Sequence, residues 1–240
     1  MTRVLERGNI YFLFRPRVGE ERPDGLDDVQ RLFVVLIPRD EHVYRRLVIG
    51  RKRMPDTGAH ERHWAFVDKV ADRPEPLQED LEAQRYATKA RGERVQPAGR
   101  PAGEGVYAIV EHLVESAPHV HLAYALEVPD EPGAVQRELG IDREASYVVA
   151  VLNPLPRTGT TDYPAHLQAR FADRRFAPLD PELLDHEGAE LVLIGAREHP
   201  QEELGIELHA ERAWNVDIFR ELHLDRETHP AQPLFEGAWD

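Results

Sequence analysis

Apolar and polar positions alternate most clearly in the first 70 residues, with the period of strands. From Ile10 to Val18, Ile10, Phe12 and Phe14 share one parity, and Tyr11, Leu13, Arg15 and Arg17 share the other. Successive side chains of a strand point to opposite faces, so the segment predicts one apolar and one mixed face. Gln30 to Ile37 predicts a second strand, stopped by Pro38. Its apolar run, Leu32 to Ile37, is strand-length and far short of a membrane span. His42 to Arg53 and His63 to Val70 predict a third and a fourth. Pro23-Asp24-Gly25 and Asp40-Glu41 supply turns. With such short connections an antiparallel β-meander is the simplest topology.

After the meander the period changes. Pro74 to about Tyr86 predicts a helix, with Asp72 placed to cap it and Glu75, Glu79 and Asp80 in its early turns. Gly92 to Gly105 is poor in large apolar residues and reads as a loop or linker, centred on 96–102. Beyond it, Gly105–His112, His119–Val128, Tyr147–Leu152 and Glu190–Ile194 have strand character. Short helices are expected from Asp130 to Leu139, Asp162 to Arg175, near Asp180–Gly188 and from Glu198 to Leu204. The type of the apolar segment Val216–Leu222 stays open. The expected fold class is α+β. An N-terminal antiparallel meander with one helix occupies 1–95, and a mixed part of strands and short helices occupies 103–240, the two able to share one core. One echo links distant helices: Gln136-Arg-Glu-Leu-Gly-Ile-Asp142 resembles Gln201-Glu-Glu-Leu-Gly-Ile-Glu207. Either a repeated strand–helix unit or common C-cap chemistry would produce it.

Charge sharpens the division. Residues 1–100 carry 20 Lys+Arg and 17 Asp+Glu, a net of +3. Residues 101–240 carry the remaining 10 and 27, a net of −17, and together they give −14. Of the 30 basic residues only Lys52, Lys69 and Lys89 are lysines, a bias of the bacterial, GC-rich kind. With no cysteine, disulfides, thiolate metal sites and cysteine nucleophiles are excluded. No signal peptide or apolar span is visible, so a soluble, cytoplasmic protein is expected.

Recognisable catalytic motifs are missing. Neither Ser116 nor Ser146 sits in a Gly-x-Ser-x-Gly elbow, and the glycines at 99, 103 and 105 lack the Gly-Lys-Ser/Thr of a phosphate loop. Two candidate surfaces are left. Arg15 and Arg17 share a parity, as do Arg45, Arg51 and Arg53, so a meander could gather them on one sheet face. Arg85, Lys89, Arg91, Arg94 and Arg100 follow in the loop. Such a face suits an acidic protein surface, a second copy of the chain or a phosphorylated ligand. The leading expectation is therefore a non-enzymatic binding or interaction protein that uses this arginine-rich face. Single-stranded nucleic acid is an alternative partner that the overall −14 disfavours. The other surface is His119-Val-His121, whose imidazoles would lie on one strand face. They could hold a divalent metal, with Glu111, His112 or Asp185 as third ligand, in a metal-dependent hydrolase.

Overall fold

The first four strands pair in sequence order: β1 (Thr2–Pro16), β2 (Val29–Pro38), β3 (Tyr44–Ile49) and β4 (Arg62–Ala71). The structure is a computed structural model describing residues 2–89, 92–113, 118–155, 161–208 and 217–239. Arg91, Ser116 and Val216 lie outside the described residues. After helix α1 (Glu75–Leu81) come a small hairpin, β5 (Gln84–Thr88) and β6 (Gly92–Gln96), and then the long β7 (Arg100–Leu113). β7 runs antiparallel along β1, from Phe14 opposite Arg100 to Thr2 opposite His112. β8 (Pro118–Val128) pairs with β7, and β9 (Glu144–Leu152), which follows helix α2 (Ala134–Leu139), pairs with β8. Helix α3 (Ala165–Gln168) leads to the short β10 (Phe176–Pro178), which pairs with the far half of β9. β11 (Glu190–Arg197) then bridges β9 and β4. Three short helices, α4 (Pro200–Leu204), α5 (Ile218–Glu221) and α6 (Gln232–Glu236), complete the described elements.

The circuit β1–β2–β3–β4–β11–β9–β8–β7 returns to β1. The fold is therefore mainly β, a closed eight-stranded antiparallel barrel, and the expected α+β class is overturned. The meander is not a free sheet, because β7 and β11 from the second half pair with its two edges. Closure satisfies backbone groups that open edge strands would leave unpaired. Strands of both halves thus share one sheet and one interior.

Inward positions keep the alternation seen in the sequence. Ile10, Phe12 and Phe14 meet Leu32, Val34, Leu47, Ile49, Tyr107, Ile109, Leu122, Tyr124, Tyr147 and Leu191 in one cluster. A barrel of eight strands has an interior that such side chains fill. The outward face of β1–β3 is apolar too. Tyr11, Leu13, Phe33, Val35 and Val48 lie beneath Leu77, Leu81, Ile218, Phe219 and Leu234 of α1, α5 and α6. Burial on both faces explains the unbroken run from Leu32 to Ile37. On β7–β8, Val106, Ala108, Ala123 and Ala125 pack against Leu204 and Ile206.

Helix α1 stops earlier than its pattern implies. Leu77 and Leu81 are its buried anchors, and the residues that follow, Gln84 to Thr88, are exposed strand. Without an apolar stripe a short helix has nothing to hold it. The two echoing segments share a cap: Gly140 and Gly205 are left-handed, with φ of 66° and 65°. In each, the following isoleucine amide reaches back to a glutamine carbonyl, Ile141 to Gln136 at 2.8 Å and Ile206 to Gln201 at 3.0 Å. The resemblance is accounted for by this common C-cap.

One buried acid couples the outer helices to pH. The carboxylate of Glu104 on β7 accepts the Ile218 amide at 2.8 Å, at the start of α5. Burial pushes its pKa up to about 7; nearby Asp217 and Glu127 act in the same direction, and the Ile218 amide and Arg226 oppose them. The folded chain thus holds this proton more tightly than the unfolded chain. The contribution is complete below the ordinary value of 4.5 and is lost as pH rises through about 7. Chemical denaturation at pH 5 and pH 8 should show this share of stability missing at the higher pH. Glu104→Gln should remove that share of the difference; a variant retaining the full wild-type difference would show that another group is responsible.

Candidate functional site

The five arginines expected to share a face are dispersed. Arg45 has the inward parity of Leu47 and Ile49 and is fully buried at one barrel end. It donates to both Glu6 oxygens, at 2.8 and 2.7 Å, and to Asp185 Oδ1 at 2.6 Å. Glu41 lies 3.5 Å away, and the Tyr107 hydroxyl donates to Glu6 at 2.6 Å. Burial disfavours the Arg45 charge, but Glu6 and Asp185 outweigh it and hold the pKa above its ordinary value. Arg15 has the outward parity of Tyr11, and its donors go to the carbonyls of Asp80, Glu82 and Pro97 at the end of α1 and beyond. Arg53 donates to both oxygens of Glu61 at 2.7 Å. Arg17 and Arg51 are exposed.

His119 and His121 share the outward parity of β8, but only His119 is exposed. Burial, aided by His112, Arg197 and His119, pushes the His121 pKa down to about 4, so its imidazole is neutral near pH 7. Its ring lies 6.4 Å from that of His112, and the Ser146 hydroxyl is 3.5 Å from Nδ1. Of the other expected ligands, Glu111 has the opposite parity to His112 on β7, and Asp185 is held by Arg45. Among the described residues no group of three His, Asp or Glu side chains is placed to hold a metal.

A different constellation forms at the opposite barrel end from Arg45. Three connections meet there: the β3–β4 loop, the β8–β9 crossover through α2, and the turn after β11. They surround an open depression of about 1070 Å³ lined by Asp56, Glu127, Asp130, Asp142, Glu144 and Glu198, with Thr57, Arg143, His199 and Gln201 among its other walls. The acids differ in compensation. At the rim, Arg143 pairs with Asp130 at 3.3 Å and with Glu131 at 3.2 Å. Glu144 accepts from Gln201 at 2.8 Å and lies 3.1 Å from His199 Nδ1, and it raises the His199 pKa. Asp142 has no such cation among the described residues. Partial burial, then Asp56 and Glu198, raise its pKa. Under this floor the fully buried Tyr147 hydroxyl lacks a well-formed hydrogen bond; burial above all raises its pKa, Tyr124 opposes it, and Asp142 and Asp56 add to it.

Local sequence builds each wall. Met54 is buried in the core, and the Met54 amide donates to Leu139 O at 2.8 Å, tying the Asp56 loop to α2. Gly195 lets that loop approach closely, since a Cβ there would lie 2.2 Å from Asp56 O. The Gly140 cap turns the chain out of α2 and sets Asp142 at the mouth, and the Tyr124 hydroxyl receives the Asp142 amide at 3.0 Å. Sequence reasoning passed over these acids because each looked like an ordinary turn or helix-terminal residue. The available signal was their placement in connections at one barrel end, as in Pro55-Asp56-Thr57-Gly58 and Pro129-Asp130-Glu131-Pro132-Gly133. No family model, curated protein or solved structure matches the chain.

Proposed function

We propose that the chain is a non-enzymatic binding protein whose recognition surface is the acidic cleft, and that its ligand is an extended organic cation. Polyamines and Lys- or Arg-rich peptide segments share that chemistry. The observation carrying this reading is the uneven compensation of the cleft. Its rim acids have basic or amide partners and Asp56 accepts the Ala59 amide at 2.7 Å, whereas Asp142 has no such partner and is repelled by Asp56 and Glu198 across a shared space. A bound cation would relieve that repulsion. Spacing favours a long ligand over a point ion, since no three of the described carboxylates converge as metal ligands. The reading replaces an arginine-faced surface as the first candidate because Arg45 is internal and Arg15 and Arg53 are occupied. An acidic cleft also repels the phosphates of nucleic acid.

Calorimetric titration with spermine and with tetralysine at low salt tests the proposal and separates the two ligand sources. Binding is expected for at least one, weakening as salt is added. Asp142→Asn/Glu198→Gln should reduce affinity roughly tenfold or more, whereas Asp130→Asn at the rim should change it little. Absence of binding by both probes, or affinity unaltered in the floor variant, would overturn the reading.

A further inference from the structure

Among the described residues, one outward sheet face is uncovered where those of β1–β3 and β7–β8 are wrapped. Outward residues of β1–β3 and β7–β8 are buried by helices and the segments beside them, as described above. On β4, β11 and β9 the outward set is Trp64, Phe66, Val192, Ile194, Val148 and Ala150, and none of these belongs to a core cluster. Trp64 is 47% exposed and Phe66 is 40% exposed. The strands are in register: Trp64 lies opposite Val192 and Val192 opposite Ala150, while Ile194 lies opposite Val148. Phe176 of β10 extends the patch, its ring centroid 6.2 Å from that of Trp64. A contiguous apolar surface of this kind marks an interaction site.

The charges on the face point to its occupant. Arg62 lies opposite Ile194 at one end of the patch, and Glu190 lies opposite Phe66 at the other. The Trp64–Val192 pair is midway between them. Neither Arg62 nor Glu190 has an ionic partner among the described residues. Four residues of strand separate the two levels, roughly 13 Å. A two-fold axis in the plane of the face, crossing the strands at Trp64–Val192, would exchange these ends. Arg62 of each copy would then face Phe66 of the other, with Glu190 one strand spacing away, about 4.8 Å to the side. The patch is therefore complementary to itself, as an isologous interface requires.

We infer that the chain forms a two-fold dimer through the outer face of β4–β11–β9, with Trp64 at its centre and reciprocal Arg62–Glu190 pairs at its margins. The two sheets pack as in a sandwich, with strands nearly aligned. Dissociation in the micromolar range, on the order of 1–100 µM, is the expected strength. The inference is independent of the cleft, which involves other side chains.

Sedimentation velocity across a concentration series tests it, using the full chain and charge reversals at two surface positions. Arg62→Glu alone and Glu190→Arg alone should each weaken the dimer about tenfold or more, because each places like charges together at both margins. The double variant should regain most of the wild-type affinity. Trp64→Ser should abolish association, and unchanged far-ultraviolet dichroism of every variant would show that folding is intact. A wild-type chain that stays monomeric to several hundred micromolar would overturn the inference. So would a dimer indifferent to the single reversals, or a double variant no better than either single.

Discussion

Replacing Arg45 by methionine should lower the stability of the barrel by about 3–5 kcal/mol, the cost of leaving a buried charge without its partner. Glu6 would keep only the Tyr107 hydroxyl, at 2.6 Å, in a site where its side chain is 9% exposed. Asp185 would lose its 2.6 Å contact as well. At this chain length the loss corresponds to a fall in Tm of roughly 6–20 °C. Methionine keeps most of the volume, so the effect reports charge rather than a cavity. Glu6→Gln in the Arg45→Met background should recover a large part of the deficit, because the orphaned carboxylate is then gone. Strictly additive losses in that double-mutant cycle would mean that the two groups do not act as a pair.

Gly105→Val should be at least as damaging, costing about 3 kcal/mol or more, and is expected to yield little folded protein. A Cβ at Gly105 would lie 2.1 Å from the Ala125 carbonyl oxygen and 2.9 Å from Leu126 Cα. Both are backbone atoms of β8, so no side-chain movement relieves the clash. β7 and β8 would have to part where their register already shifts, between Glu104 and Gly105. Gly25→Ala serves as the control. Its nearest neighbour would be the end of the Glu138 side chain at 3.5 Å, and its stability should stay within about 0.5 kcal/mol of wild type. Equal tolerance of the two substitutions in urea denaturation would show that β7 and β8 do not approach this closely.

These two positions also show what the sequence could and could not convey. Local period was readable: the parity of Ile10, Phe12 and Phe14 is the inward set, and Gly140 and Gly205 end helices as C-caps. Closure was not, because it depends on pairs such as Thr2–His112 and Phe66–Glu190, more than 100 residues apart. Nothing local encodes such pairing. The glycines at 99, 103 and 105 suggested a linker, yet they lie where Leu81, Phe12 and Ala125 come close. Arginine parity misled for a definable reason. The third strand ends at Ile49, so Arg51 and Arg53 fall in a turn and no longer share the face of Arg45.

The charge split is similarly recast by geometry. Arg46 and Arg53 pair with Asp68, Asp80 and Glu61, all within the first 100 residues, while Arg45 joins Glu6 of the first half to Asp185 of the second. Part of the basic front is thus neutralised by its own acids. Part of the excess of the second half gathers instead at the far barrel end, in Asp142 and Glu198, where Asp56 joins it. The acids of the candidate site thus come from three distant connections, and only the closed barrel brings them together.

The most direct measurement is amide chemical-shift mapping of the labelled protein during titration with spermine or tetralysine. The expected perturbations cluster at residues 54–59, 125–131, 142–144 and 198–201 and saturate together. Perturbations that are absent, scattered over the surface, or centred on the Arg45 end of the barrel would contradict a cation-binding cleft.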